Sequence, residues 1–226
     1  MRKPRIDGQE TRGHLLEAAC AVFGTKGFRA ATIAEICRKA NANTAAANYH
    51  FGSKEELYVE SWQFAFEQSS KAYPPDGGVA PDAPVEDRLR GRILAIIKRI
   101  IDPQSHDLDI VHKEMANPTG LLTPAVQKAK EPFSQGFAAI VRELLGPEAP
   151  EQQVRLCLMS IHAQCLGPLM RERHYKMGSS GGLPPPLDSI PEDVETLSRH
   201  ITCFSLAGIQ AVRDHIEKER FSDAGK

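Results

Sequence analysis

Along most of this chain, apolar residues recur at intervals of three and four, the spacing that places them on one face of an α-helix. Clean two-residue alternation of β-branched residues is scarce. The pattern predicts nine helices and an all-α protein. The first runs from about Thr11 to Gly24, with Leu15, Leu16, Ala19, Val22 and Phe23 as its stripe and Gly24 and Gly27 bracketing its end. The second runs from Ile33 to Ala40 behind Thr32-Ile-Ala-Glu35, which has the spacing of a capping box. Asn41 follows, at a sharp turn that asks for the left-handed conformation. Asn43 caps a third helix, Thr44 to Phe51, and Ser53, with Glu55 and Glu56 in the first turn, opens a fourth that ends near Ala72.

Beyond a Pro/Gly loop at 72–84, residues 85–102 carry Leu89, Ile93, Ile96, Ile97, Ile100 and Ile101 on a broad apolar face. A shorter helix, Asp107 to Met115, ends at Asn117-Pro118, and Thr123-Pro124 starts another that reaches Leu145. The stretch 151–175 is the most apolar, the loop 178–191 is rich in Gly, Pro and Ser, and a last helix spans about 192–219.

The third helix is unusual. In "NTAAANYHFGSKEEL" (43–57), three alanines offer little surface, and Asn48, Tyr49 and His50 then crowd polar tips at one end. A helix that enters a narrow, polar space has this composition. Charge points the same way. The 226 residues carry a net −1, yet residues 1–54 hold nine Lys/Arg against four Asp/Glu, a surplus of five, which leaves −6 for the remainder. A basic head on an acidic body suits a polyanionic partner. Five cysteines without paired spacing, set among apolar residues, read as reduced buried thiols. The basic N-terminus lacks the apolar run of a signal peptide, and no stretch is apolar for the roughly 18 residues of a membrane span, so a cytoplasmic protein is expected.

Three short helices with a tight turn between the second and third form a helix-turn-helix. In that motif the third helix lies in the DNA major groove while the second braces it. The groove is only about 12 Å wide, so Ala45 and Ala46 permit close approach. Thr44, Asn48 and Tyr49 can then reach bases or phosphates, His50 and Lys54 sit near the N-terminus of the next helix, and Thr32 offers a further phosphate contact. Ala47 and Phe51 face the core, and Arg2, Lys3 and Arg5 supply a basic arm.

The stretch "TRGHLLEAACAVFGTKGFRAATIAEICRKANANTAAANYHFGSKEELY" resembles the N-terminal domain of the TetR family of bacterial transcriptional repressors. Within it "NYHFGSKEELY", and more loosely "HKEMANPT", "AIVRELLG" and "SIHAQCL" further on, resemble a CecR-like subgroup. Where the family usually has Gly in its turn, this chain has Asn41. The resemblance implies a three-helix DNA-binding domain over 1–56 and a larger helical ligand-binding and dimerisation domain over 57–226. It implies a homodimer reading a palindromic operator in double-stranded DNA, released by a small-molecule inducer, located with the nucleoid when DNA-bound. By matching position, Thr32, Thr44, Ala45, Asn48, Tyr49, His50 and Lys54 form the expected DNA-contacting set.

The family's dimers form through the last two long helices. Here the first offers Val154, Leu158, Ile161, Cys165 and Leu169, and the second Leu197, Ile201, Phe204, Gly208 and Val212, with Ser205, Ala207 and Ala211 allowing close approach. For a ligand, the polar groups set into apolar helices are His112, Glu114, His162 and Gln164, with Asn117 and Arg142 beside them. An apolar or aromatic molecule between helices fits such a lining best. Asp109 and His112 share a helix face, but spacing fixes no third ligand, so no metal and no cofactor are expected. The reading is a ligand-responsive repressor rather than an enzyme. Its rivals are a TetR-like activator, a helical metal-dependent enzyme using residues 106–114, and a small-molecule-binding protein whose head no longer reads DNA.

Overall fold

The structure, a computed structural model, describes the backbone of residues 6–176 and 193–224 and the side chains of residues 8–167 and 193–220. The basic arm of Arg2, Lys3 and Arg5, the loop 178–191 and the side chain of Leu169 lie outside the described residues. Among the described residues the chain is helical throughout: α1 (Ile6–Ala30), α2 (Ile33–Lys39), α3 (Thr44–Phe51), α4 (Lys54–Ala72), α5 (Val85–Ile101), α6 (His106–Ala116), α7 (Thr123–Leu145), α8 (Glu151–Lys176) and α9 (Val194–Ala224). None of these is long and apolar enough to cross a membrane.

Local chemistry sets the boundaries in the N-terminal third. The Thr32 hydroxyl accepts the Glu35 N–H at 3.2 Å, Asn43 Oδ1 accepts the Ala46 N–H at 2.7 Å, and Ser53 Oγ accepts the Glu56 N–H at 3.1 Å. Each cap satisfies an N–H that the first helical turn leaves free. Only half of the capping box forms as spaced, because the Glu35 carboxylate turns to Lys26 at 2.6 Å. Asn41 adopts the left-handed conformation, at φ 51°.

One expectation needs correcting. Gly24 does not end α1. The helix runs on to Ala30, and its break falls at Gly27, where φ is 74°. Gly24 is buried instead, and a Cβ built there would stand 3.4 Å from the Asp109 Cβ. It is a packing glycine that lets α6 lie close against α1.

Two compact units result. One comprises residues 1–72 and 103–129, the other 73–102 and 130–226, so that α7 contributes its first turns to the former and the rest to the latter. In the first unit, α1 packs on α4 and α6 around Leu15, Phe23, Ile36, Leu57, Tyr58, Trp62, Ile110 and Leu122, all 1% exposed or less. In the second, α5, α8 and α9 pack on one another through Leu89, Ile93, Ile97, Val154, Ile161, Cys165 and Ile201.

A second correction concerns the apolar stripe of α8. Val154, Ile161 and Cys165 point into their own unit, with Leu158 half-buried, and Ile201 of α9 does the same. On α8 the exposed face is another, with Leu156, Met159, Ser160, Ala163 and Gly167, whereas on α9 Phe204, Ala207, Gly208 and Ala211 are exposed as expected and Ser205 is buried. Met159 is 61% and Phe204 63% exposed.

Candidate nucleic-acid interface

α3 has two faces with different tasks. Ala47 and Phe51, four residues apart, are buried in the first unit's core, while Thr44, Ala45, Asn48 and Tyr49 stand exposed. Tyr49 is 84% exposed, an unusual position for so large a ring. His50, half-buried, packs edge-on between its neighbours, with ring centroids 5.1 Å from Tyr49 and 6.1 Å from Phe51. The helix ends at Gly52, whose positive φ of 71° turns the chain into Ser53 and α4.

The brace is built from charge as well as packing. The Arg12 guanidinium lies 5.1 Å over the Phe51 ring and bonds to the Glu60 carboxylate, so α1, α3 and α4 meet on one side chain. The Lys54 ammonium sits 4.4 Å from the centroid of the Phe28 ring, a cation–π geometry that orients the start of α4. Thr32 stands exposed at the head of α2, and its hydroxyl keeps a proton to donate beyond the bond it accepts. The structure thus gathers the seven expected residues onto α3 and the two flanking helix starts. Sequence spacing gave no sign of Arg12 or Phe28, because both act through partners far along the chain.

The polar residues named for a ligand divide between the units. In the first, His112 is exposed. Glu114 is fully engaged: it accepts the Thr119 N–H and Gly120 N–H at 2.8 Å, the Thr119 hydroxyl at 2.8 Å and the Tyr58 hydroxyl at 3.0 Å. Burial pushes its carboxyl upward, but these donors outweigh burial and hold it below the ordinary carboxylate range. Tyr58 in turn is raised, by burial first and then by the Glu114 charge. In the second unit, Gln164 donates to Ser160 O of its own helix at 3.3 Å. His162 stands edge-on to Phe137 at 5.2 Å, and burial lowers its pKa.

The cysteines match a reduced interior in large part. Cys20 and Cys165 are pushed up by burial to about 12, and Cys37 and Cys157 are raised by the same cause. Cys203 departs from that expectation and is exposed on α9. Asp109 is buried and His112 exposed. No group of three metal-ligating side chains forms among the described residues.

Comparisons with known proteins agree with this arrangement. A family model described as bacterial regulatory proteins of the tetR family matches residues 15–60, and one described as the C-terminal domain of the HTH-type transcriptional dual regulator CecR matches residues 85–209. The chain is 26% identical to the HTH-type transcriptional regulator SrpR of Pseudomonas putida over 142 residues, 62% of this chain and 64% of that one. It is 27% identical over 161 residues to the dual regulator CecR of Shigella flexneri, 67% of this chain and 72% of that one. In fold it is similar to a TetR-like transcriptional regulator from Rhodococcus sp. RHA1, with a TM-score of 0.66 at 17% identity, over 92% of this chain and 99% of that one. These are transcriptional regulators, not enzymes, and the chain belongs to the TetR family of DNA-binding transcriptional regulators, in its CecR-like branch.

Proposed function

We propose that this protein is a ligand-responsive repressor that binds a palindromic operator as a cytoplasmic homodimer. Residues 1–56 are its DNA-binding domain and 57–226 its ligand-binding and dimerisation domain. The observation that carries the reading is the division of α3 into a buried pair, Ala47 and Phe51, and an exposed edge ending in Tyr49. Thr44, Ala45, Asn48 and Tyr49 meet the bases and nearby phosphates of the major groove, and Thr32, His50 and Lys54 the backbone on either side. Two such heads read half-sites spaced by roughly 34–36 Å, one turn of DNA. The exposed apolar and small residues of α8 and α9 supply a self-complementary face for the partner copy.

An effector that binds better to a conformation with another head spacing shifts the population off the operator. Of the four polar candidates for its site, His162 is set against the Phe137 ring, whereas the bonds of Glu114 are taken up within the protein. Activation at some operators is a second reading, favoured by the match of residues 85–209 to the domain of a dual regulator. The test is selection from a random duplex pool at moderate salt, comparing wild type with Tyr49→Ala. A two-fold symmetric site recovered by wild type and lost or weakened in the variant is the expected result. No enrichment by a folded, dimeric wild type overturns the proposal.

A further inference from the structure

Within the second unit, α7 meets α5 and α8 through long side chains, while α5, α8 and α9 approach one another closely. Two arginines reach from α5 toward α7, one turn apart, and they are treated differently. Arg88 donates through Nη2 to both Glu143 carboxylate oxygens at 2.7 Å and through Nε to Ala83 O at 2.9 Å. Arg92 is half-buried and has no carboxylate within ion-pair distance among the described residues. Its bond to a protein acceptor is one donation to the Phe133 carbonyl, at a long 3.3 Å.

The rest of the guanidinium is presented rather than tied down. Its central carbon lies 5.8 Å from the Phe137 ring centroid. Its Nη2 rests against Gly136, where a Cβ would come within 2.6 Å. The absence of a side chain there is what lets the guanidinium lie along α7. Asp76 contributes favourable charge from a distance, but its Oδ1 accepts the Gly78 N–H at 2.8 Å in its own turn. His162 approaches Phe137 edge-on, and Lys130 adds positive potential from α7. A cation that burial disfavours, with most of its five donors unspent and the Phe137 ring beside it, suits an incoming carboxylate on an aromatic body. A carboxylate supplies the two-oxygen acceptor that Glu143 already gives Arg88, and Phe137 supplies an apolar surface.

We propose that Arg92 is the anion anchor of an effector subsite in the second unit and that the effector it takes is an aryl or arylalkyl carboxylate seated against Phe137. The subsite rests on the ligand-responsive reading above and names the chemistry of its ligand.

The probes are benzoate, 2-naphthoate and 4-phenylbutyrate, each against its uncharged carboxamide, titrated calorimetrically into the full-length dimer. Wild type prefers at least one carboxylate over its amide by roughly tenfold to a hundredfold, the range of charge-assisted bonds. Arg92→Met abolishes that preference. Gly136→Ala, which keeps the arginine and is the better helix former, displaces the guanidinium and reduces the preference without unfolding the protein. No binding to wild type below about 10 mM by any probe overturns the subsite, as does a carboxylate preference that survives in Arg92→Met. Operator binding, measured in parallel, separates the two proposals. Arg92-dependent carboxylate binding that leaves DNA affinity unchanged upholds the subsite and overturns the ligand-responsive reading. Release from DNA by an uncharged compound, equal in wild type and Arg92→Met and without carboxylate preference, upholds that reading and overturns the subsite.

Discussion

Replacing Glu114 tests how the first unit is held, because that carboxylate bonds both to the loop after α6 and to α4. In Glu114→Ala the Thr119 and Gly120 N–H groups lose their acceptor, and the hydroxyls of Tyr58 and Thr119 lose theirs. A bond to a charged group contributes about 1.5–3 kcal/mol, and leaving a buried donor unpaired costs about 1–3 kcal/mol. Gly120 is exposed and Thr119 half-buried, so water replaces part of what is lost there. The net cost is therefore about 2 kcal/mol rather than the sum of the bonds. Glu114→Gln costs less, about 1 kcal/mol, because the amide oxygen still takes the backbone N–H groups and both hydroxyls can turn to accept from the amide nitrogen. For a chain of this length, these costs lower Tm by about 4–8 °C and 2–4 °C.

Trp62 makes the assay local. It is the protein's one tryptophan, fully buried on α4 in the same unit, so its fluorescence reports the unfolding of that unit. Urea midpoints of wild type, both variants and Tyr58→Phe are compared at pH 7 and at falling pH. The folded-state carboxyl is held below its unfolded value. Its contribution is therefore fully present above the unfolded value of about 4.3 and is lost as pH falls through the lower folded value. The gap between wild type and Glu114→Gln must narrow below about pH 4. Equal midpoints for wild type and Glu114→Ala, or a gap that stays constant into strong acid, would refute the account.

Two further substitutions probe the second unit. At Gly91 a Cβ would stand 2.6 Å from the Asp76 carbonyl oxygen and from Val79 Cγ2, so Gly91→Ala should destabilise by about 1–3 kcal/mol despite the better helix propensity of alanine. Circular dichroism should show the loss as a lowered urea midpoint, and an unchanged or raised midpoint would mean that the loop carrying Asp76 gives way. Gly208 on α9 has nothing within 4 Å of a built Cβ in its own chain, so Gly208→Arg should fold normally yet weaken a dimer formed by this face. Sedimentation equilibrium should detect monomer in the variant, and an undiminished dimer would place the interface elsewhere.

Local chemistry was legible in the sequence, and partnership across the chain was not. Thr32, Asn43 and Ser53 each accept the N–H three residues ahead, so their signal lies within one short window. Asn41 declared its left-handed turn for the same reason. Gly24 misled because a glycine that ends a helix and one that admits a neighbouring helix look alike until α6, some eighty residues later, is in place. The stripe of α8 misled for a related reason. Its most apolar face is the one its own unit buries, while the face left outside mixes Leu156 and Met159 with serine, alanine and glycine. Arg92 left no trace in spacing at all. Its interest lies in which arginine on α5 finds a carboxylate, and that depends on where α7 falls.

The same distinction explains how so small a recognition helix can be reliable. α3 has eight residues, too few to hold its shape alone, and only Ala47 and Phe51 anchor it in the core. Its position is instead fixed from outside: Asn43 closes its first turn, Gly52 turns the chain sharply away, and Arg12 covers Phe51 while bonding to Glu60. Lys54, proposed to meet phosphate, also rests on Phe28, the ring that packs against Phe23 and Tyr58. Tyr58 then bonds to Glu114 and through it to the loop after α6. A continuous set of contacts therefore joins the loop after α6 to the start of α4, within the set of residues proposed to grip DNA, and all of it lies inside one packed unit.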